Sequence, residues 1–450
     1  MVHSRPVGIV RISLVAGLLA LGGCCLSVTA GTNLNELQST SGTTGGGGTP
    51  TGTGAGTSSG TTTGAGSSSG PTSSAGNTSG SSGTAPSCVP GPASNLGSYA
   101  TYTSLPLVDL SSADLNGDGM LDLVAFNFPA DDLASDASFV VFFGQPDGGL
   151  GAPVSYAGGF PRCIGDLNGD GHPDVVVENF DNVGVQIFLN DGAGGLVLSG
   201  AAMSSEYVIG CGIGDINGDG LADLVFAEEG PGTHSSAELA LGNGLGDFSS
   251  PTPLNLGYPL VVADLDQNGI SDIVGNTSDG TQLAVLLNEG EGDFRTKLYA
   301  NPAISDIALL FKTGAAPDLV LGQNGYLQSG ALVSDGGVQV LENSGDGTFL
   351  IGAALQVQGG EIVAIGDFNG DCIPDIATSS PGTGCASWQA SVLYGKGDGG
   401  FAPAVSLQAI GFVGSLAALG PVENPRALAA DTGRGCIAPG IVVYGDASRP

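Results

Sequence analysis

Basic side chains are scarce in this chain of 450 residues, where 10 Lys and Arg stand against 43 Asp and Glu. Charged residues make up 12% of the sequence, about half the share of an ordinary soluble domain. The formal net charge of -33 repels phosphate backbones and anionic lipid, which excludes nucleic-acid binding and a basic membrane-binding patch. There are three histidines and three lysines. That shortage removes most of the side chains on which zinc, Schiff-base and acid–base chemistry depend. Helical periodicity is also missing beyond the N-terminal segment. Glycine, in contrast, supplies 80 residues, and the many carboxylates are good ligands for hard cations.

Arg5 and Arg11 precede an apolar run over residues 12–21, which ends in Leu21-Gly22-Gly23-Cys24. A basic start, a short apolar core and small residues before a cut describe a signal peptide, and the run is too short to span a bilayer. Leu-Gly-Gly-Cys resembles the bacterial lipobox. That implies removal of residues 1–23, lipidation of Cys24 and attachment at the bacterial outer membrane or cell surface. An ordinary cut after Ala30, giving a secreted protein, is the alternative. Residues 39–87 are almost entirely Gly, Ser and Thr, with nothing to bury, so residues 24–96 read as a flexible tether. A tether of roughly 60 residues has a mean reach of about 40–50 Å.

Beyond residue 97 one pattern recurs. Asp114-Leu-Asn-Gly-Asp-Gly-Met-Leu-Asp122 returns as Asp166-Leu-Asn-Gly-Asp-Gly-His-Pro-Asp174 and Asp215-Ile-Asn-Gly-Asp-Gly-Leu-Ala-Asp223. It returns again as Asp264-Leu-Asp-Gln-Asn-Gly-Ile-Ser-Asp272 and Asp367-Phe-Asn-Gly-Asp-Cys-Ile-Pro-Asp375. The wide gap between Asp264 and Asp367 accommodates a repeat without the loop near residues 304–320, and a further degenerate copy falls near 416–429. Each loop lies between two short apolar runs, and two more follow before the next loop. Four short strands per repeat of about 50 residues is the pattern of propeller blades. The expected fold is therefore all-β, a seven-bladed β-propeller over residues 97–450. Its last blade has three strands of its own, and the strand near residues 98–104 is expected to complete it, closing the ring and removing an edge.

In Asp-x-Asn-x-Asp-Gly-x-x-Asp, oxygens at positions 1, 3, 5 and 9 converge, with a backbone carbonyl at position 7. The candidate ligands are Asp114, Asn116, Asp118, Met120 and Asp122, and then Asp166, Asn168, Asp170, His172 and Asp174. The third and fourth loops offer Asp215, Asn217, Asp219, Leu221 and Asp223, and Asp264, Asp266, Asn268, Ile270 and Asp272. The fifth offers Asp367, Asn369, Asp371, Ile373 and Asp375. Hard oxygen ligands with three carboxylates per loop favour calcium, at about five sites. These are not EF-hands, whose position 12 carries a bidentate Glu. Here that position holds Ala125, Val177, Phe226, Gly275 and Thr378. Without metal each loop gathers like charges that oppose folding, so calcium is expected to stabilise the fold. Position 6 is glycine in four loops and Cys372 in the fifth, a strained site if the turn needs positive φ there.

The loops, with turns such as Phe143-Gly-Gln-Pro-Asp-Gly-Gly and Tyr394-Gly-Lys-Gly-Asp-Gly-Gly-Phe401, resemble FG-GAP (VCBS-type) repeats. Such repeats build the N-terminal propeller of integrin α subunits and many bacterial surface proteins. The resemblance covers about 350 residues. It implies calcium loops between the first and second strands on one face, and partners bound on the opposite face.

Six cysteines follow the signal region, in an oxidising compartment. Positions in the repeat suggest the pairs Cys385–Cys436, Cys88–Cys372 and Cys163–Cys211. Loops on the face opposite the aspartates carry Trp388, Tyr326, Asp131 and Asp132, aromatic and acidic residues suited to sugar or protein contact. The resulting expectation is a non-enzymatic, monomeric surface module that binds an extracellular glycan or surface protein and meets the membrane only through its lipid anchor. A polysaccharide lyase-type enzyme and a structural surface-layer component are the alternatives. A lyase needs a base and cations for the sugar carboxylate, and the few Lys and Arg residues are scattered.

Overall fold

The computed structural model describes residues 77–78 and 96–446, apart from 104, 106, 128–136, 179–183, 200–206, 230–234, 291, 301–303, 313–314, 324–326, 329–330, 333–335, 356, 358–359, 361, 381–388, 408–412, 423–424 and 433–439. The expected signal peptide, Cys24 and nearly all of the expected tether lie outside this set. The described residues belong to one compact unit, Ser68–Pro450. Every element described in it is a strand.

Two strands, β1 (Asn77–Thr78) and β2 (Leu96–Thr103), precede the repeats. The first set is the antiparallel meander β3 (Leu107–Ala113), β4 (Met120–Asn127), β5 (Ser138–Gly144) and β6 (Leu150–Ala157). The second is β7 (Pro161–Gly165), β8 (Asp174–Glu178), β9 (Val185–Asn190) and β10 (Leu196–Leu198). The third comprises β11 (Val208–Gly214), β12 (Asp223–Glu229), β13 (Ser235–Ala240) and β14 (Thr252–Leu254). The fourth comprises β15 (Leu256–Ala263), β16 (Asp272–Thr277), β17 (Gln282–Asn288) and β18 (Phe294–Ala300).

The fifth set begins with β19 (Ile304–Leu310) and β20 (Asp318–Gln323), which lead into a small hairpin of β21 (Leu327–Gln328) and β22 (Ala331–Leu332). It is completed by β23 (Gly337–Asn343) and β24 (Phe349–Leu355). The sixth is β25 (Val363–Gly366), β26 (Asp375–Ser380), β27 (Gln389–Leu393) and β28 (Val405–Ser406). The last repeat gives β29 (Leu416–Pro421), β30 (Ala427–Asp431) and β31 (Ile441–Asp446). Its fourth strand is β2, which pairs antiparallel with β31 from Leu96↔Asp446 to Thr103↔Ile441.

The residue patterns explain the layering. Second strands are covered on both faces and read as continuous apolar runs, as in the wholly buried Asp-Val-Val-Val-Glu of β8. Fourth strands form the outer rim, so β6 is mostly exposed and tolerates Pro153, which an edge strand can hold without losing a ladder bond. The first strands lie side by side: β3 against β7, then β11, β15, β19, β25 and β29, which returns to β3. This is a β-propeller of four-stranded blades. Its core lies between neighbouring blades, as where Cys163, Val176 and Ile187 meet Ile213, Leu224 and Phe226.

Two features differ from expectation. Five four-strand sets stand as separate sheets, not seven; the first and last sets are merged in one eight-stranded sheet. The cause is local. The last repeat lacks an aspartate loop, so β29 runs on through Gly420 and Pro421 to pair with Leu121 and Met120 of β4, and Val422 N–H bonds to Gly119 O at 3.0 Å. Within the stretch read as tether, β1 pairs in parallel with β7 at Cys163 and Ile164. β1 also lies beside β11 and β15 inside the ring.

Candidate functional site

All five aspartate loops join the first strand of a set to its second: β3–β4, β7–β8, β11–β12, β15–β16 and β25–β26. The turn chemistry is repeated. Position 4 has positive φ at Gly117, Gly169, Gly218 and Gly370, and at Gln267 in the fourth loop. Position 6 has φ of 84° at Gly119, 87° at Gly171, 83° at Gly220 and 90° at Gly269, and Cys372 adopts 69°. A side chain in that left-handed region costs on the order of 1–2 kcal/mol, so the fifth loop carries strain at Cys372 and the fourth at Gln267, which the first three loops avoid with glycine.

Within each loop the acidic side chains fold back onto the backbone. Asp114 Oδ1 accepts the Asp118 N–H at 3.1 Å and Oδ2 accepts the Gly119 N–H at 2.9 Å. Asp118 Oδ1 accepts the Met120 N–H at 2.8 Å, and Asn116 Nδ2 donates to Asp118 Oδ2 at 3.0 Å. Equivalent bonds recur from Asp166, Asp215 and Asp367. The fourth loop exchanges Asp and Asn between positions 3 and 5, and there one oxygen from each of Asp264, Asp266 and Asp272 falls within 4.8 Å of the others. Oxygens that share a calcium ion at 2.3–2.6 Å lie within about 5 Å of one another, so this donor set fits a hard cation.

Position 9 does more than close the loop. Buried Asp122 accepts the Leu115 N–H through Oδ2 at 2.9 Å and the Gly144 N–H through Oδ1 at 2.8 Å. It thereby ties its own loop to the end of the third strand. Asp174, Asp223, Asp272 and Asp375 hold the same place. Burial is the main cause that pushes their carboxyls up, to about 7 at Asp122 and Asp272, about 6 at Asp174 and about 8 at Asp375. Asp223 is raised by the same cause. The N–H donors oppose the shift and neighbouring loop aspartates add to it. A cation at the loop would hold these groups ionised.

Some loops are also tied to the following blade. Asn190 Nδ2 donates to Leu115 O at 2.7 Å, and Asn343 Nδ2 to Leu265 O at 2.8 Å. Asn288 Nδ2 makes the equivalent bond to Ile216 O.

Residues 166–226 and 215–275 match the family of FG-GAP-like repeats. Each span starts at an aspartate loop and ends in the second strand of the next blade. The chain carries FG-GAP-like repeats within its propeller.

No curated protein matches this chain. Among solved structures it is similar to the Dos1 propeller, with 11% identity, a TM-score of 0.41, and 78% of this chain and 95% of that chain covered. A mutant of AofleA from Arthrobotrys oligospora gives 11% identity, a TM-score of 0.43, and coverage of 72% and 93%. A GH43_1 enzyme from Xanthomonas citri gives 13% identity, a TM-score of 0.32, and coverage of 57% and 94%. The sheets described above, and not these distant similarities, define the propeller.

The two strand sets without an aspartate loop show what replaces it. Asp318 pairs with Leu310 across β19 and β20, the register of position 9 elsewhere, and its Oδ1 accepts the Asn343 N–H at 2.9 Å. Its Oδ2 forms an ion pair with Lys312 Nζ. A side-chain ammonium thus sits on the carboxylate that corresponds to position 9. In the last repeat that register holds Ala427, paired with Leu419. Arg426, just before it, reaches across to the fifth loop, where a Cβ on Gly370 would lie 3.0 Å from Arg426 Cζ.

Cys163 and Cys211 form a disulfide between β7 and β11. Cys372 is disulfide-bonded, and its partner lies outside the described residues. Cys88, Cys385, Cys436, Trp388, Tyr326, Asp131 and Asp132 also lie outside them.

A second constellation lies at the opposite end of the first strands, where the sequence pattern marks nothing. Five first strands carry an irregularity near their start, at 108–111, 161–163, 208–210, 257–260 and 304–306. Such bulges re-aim side chains. They set out Asp109 (φ 52°), Arg162 and Tyr258. Arg162 Nη1 lies 3.4 Å from Asp109 Oδ2, and Nη2 is paired with Glu178 Oε2. The guanidinium carbon also stands 4.7 Å over the Phe160 ring. Burial raises the carboxyls of Asp109 and Glu178 against the pull of Arg162. These residues come from separate repeats at unequal distances before their loops, so no spacing in the sequence marks them.

Proposed function

We propose that the protein is an exported, surface-tethered propeller of seven blades, stabilised by calcium, that presents a binding face to an extracellular glycan or protein. The eight-stranded sheet counts as two blades in this reading. In support, seven core clusters lie one between each neighbouring pair of strand sets, including the last and the first.

The observation that carries the metal reading is Lys312 on Asp318. Where the aspartate loop is missing, the chain supplies its own cation to the corresponding carboxylate. In the five loops that task would fall to calcium, held by the aspartates and asparagines at positions 1, 3, 5 and 9 with the carbonyl at 7. The ion would supply positive charge to three gathered carboxylates and no reaction step. Differential scanning calorimetry of the full chain in chelator and in millimolar calcium tests this reading. The melting temperature is expected to rise by about 10 °C or more with calcium, the shift that a few kcal/mol of added stability produces. An unchanged value in both buffers would remove it.

An enzymatic role is the second reading, favoured by Asp109 and Glu178, two burial-raised carboxyls on one guanidinium. Raised carboxyls suit general acid catalysis. A lyase is poorly served by the same cluster, since Arg162 is already committed to both carboxylates.

A further inference from the structure

The end of the ring opposite the aspartate loops holds two hydrogen-bond donors without acceptors among the described residues. Arg162 Nε is buried and makes no hydrogen bond to them. Tyr258 donates its hydroxyl to none of them either, although Tyr258 lies on a bulge with its ring against Gly210, where a Cβ would come within 2.7 Å. The pair belongs to one electrostatic group. Asp306, Asp109 and Arg162, from three other strand sets, all act on the Tyr258 phenol, which burial raises above its usual range. Groups from four sets meet in this way only inside the ring.

The buried Arg162 Nε asks for an acceptor, since an unmade bond to a buried donor costs about 1–3 kcal/mol, and the Tyr258 hydroxyl beside it is free to share that acceptor. The flanking charges restrict its kind. Asp109 and Glu178 repel an anionic acceptor, while their oxygens accept further hydroxyl protons. Asp306 is satisfied by its own backbone bonds to Ile307 and Val363. Phe160 adds an apolar face beneath the guanidinium. Vicinal hydroxyls, each both donor and acceptor, answer all of these demands. Asp109 keeps 34% of its side-chain surface and Arg162 15%, so the cluster is reachable from solvent.

We propose that Arg162, Tyr258, Asp109 and Glu178 form a saccharide site at this mouth of the ring, taking the end of a neutral glycan. The site gives the binding role proposed above its ligand class and its place, and so rests on that reading. Vicinal hydroxyl oxygens accept from Arg162 Nε and Tyr258 Oη, and the hydroxyl protons go to Asp109 and Glu178.

The test is isothermal titration of the full chain, in calcium, with cello-, xylo-, manno- and galacto-oligosaccharides and with the matching oligouronides. Neutral chains are expected to bind and uronides to bind at least tenfold more weakly. Tyr258→Phe removes a hydroxyl that holds nothing in the described fold, so its melting temperature should match the parent while affinity falls about fivefold to tenfold. Asp109→Asn should weaken binding by tenfold or more. Preference for uronides, or unaltered affinity in both variants, overturns this site. Unaltered affinity in the variants would leave a glycan-binding module whose site lies elsewhere. If no saccharide binds while calcium still raises the melting temperature, the saccharide site fails and the calcium-stabilised propeller remains.

Discussion

Single carboxylates at position 9 do two jobs that are usually separated. Asp272 accepts the N–H groups of Leu265 and Asn288, both at 2.7 Å, and is fully buried. Replacing it with alanine leaves two buried donors without partners. At about 1–3 kcal/mol for each, Asp272→Ala is expected to lose roughly 2–5 kcal/mol by urea denaturation, in chelator as well as in calcium. A loss confined to the calcium condition would mean that Asp272 serves only the ion. At this scale the sequence was legible wherever the chemistry is local. Nine consecutive residues contain the whole loop, so spacing alone identified Asp264, Asp266 and Asp272 as neighbours. The paired functions of Asp272 were not legible, because its second donor, Asn288, lies sixteen residues away at the end of another strand.

Among the elements, β2 supplies the fourth strand of the last blade. It pairs with β31 and covers the run Ile441-Val442-Val443-Tyr444. Deleting residues 96–103 would turn β31 into an exposed apolar edge, a template for pairing with other chains. Size-exclusion chromatography of that deletion is expected to show oligomers and a reduced soluble yield. A monomer of parent stability would mean that three strands suffice for the last blade. The closing strand was readable from Ser98-Tyr-Ala-Thr-Tyr because it has the alternation of a fourth strand and the last repeat has only three. The joining of β29 to β4 was not, since it depends on a two-residue extension that no periodicity records. The cluster around Arg162 escaped for a related reason: the bulges fall at different points of the first strands and insert one residue in β3 and β7 but two in β15, so equivalent positions in space are not equivalent in number.

Across the whole molecule, the response to pH is governed by an excess of carboxylates that leaves a net charge of -33. Asp122, Asp174, Asp272 and Asp375 at position 9, together with Asp306, have folded values raised to about 6–8, well above an unfolded aspartate near 3.9. Groups raised in this way stabilise the fold when protonated. Their contribution is complete below the unfolded value and is lost as pH rises through the folded one. The metal-free protein is therefore expected to lose thermal stability between about pH 5 and 8, with self-repulsion acting in the same direction. Saturating calcium should flatten or reverse that slope, because it holds the loop carboxylates ionised. Melting temperatures across this range in chelator provide the check, and a slope that rises with pH would contradict the assignment.

The clasp between β2 and β31 also decides how the molecule responds to force. Any pull transmitted to β2 from its N-terminal side enters at Leu96, whose partner Asp446 is the last residue of β31. The load therefore falls on one end of an antiparallel pair and opens its bonds in succession. Once residues 77–78 have parted from β7, the ring would yield next at this seam, as a fuse does, while the aspartate loops and the opposite mouth remain assembled behind it.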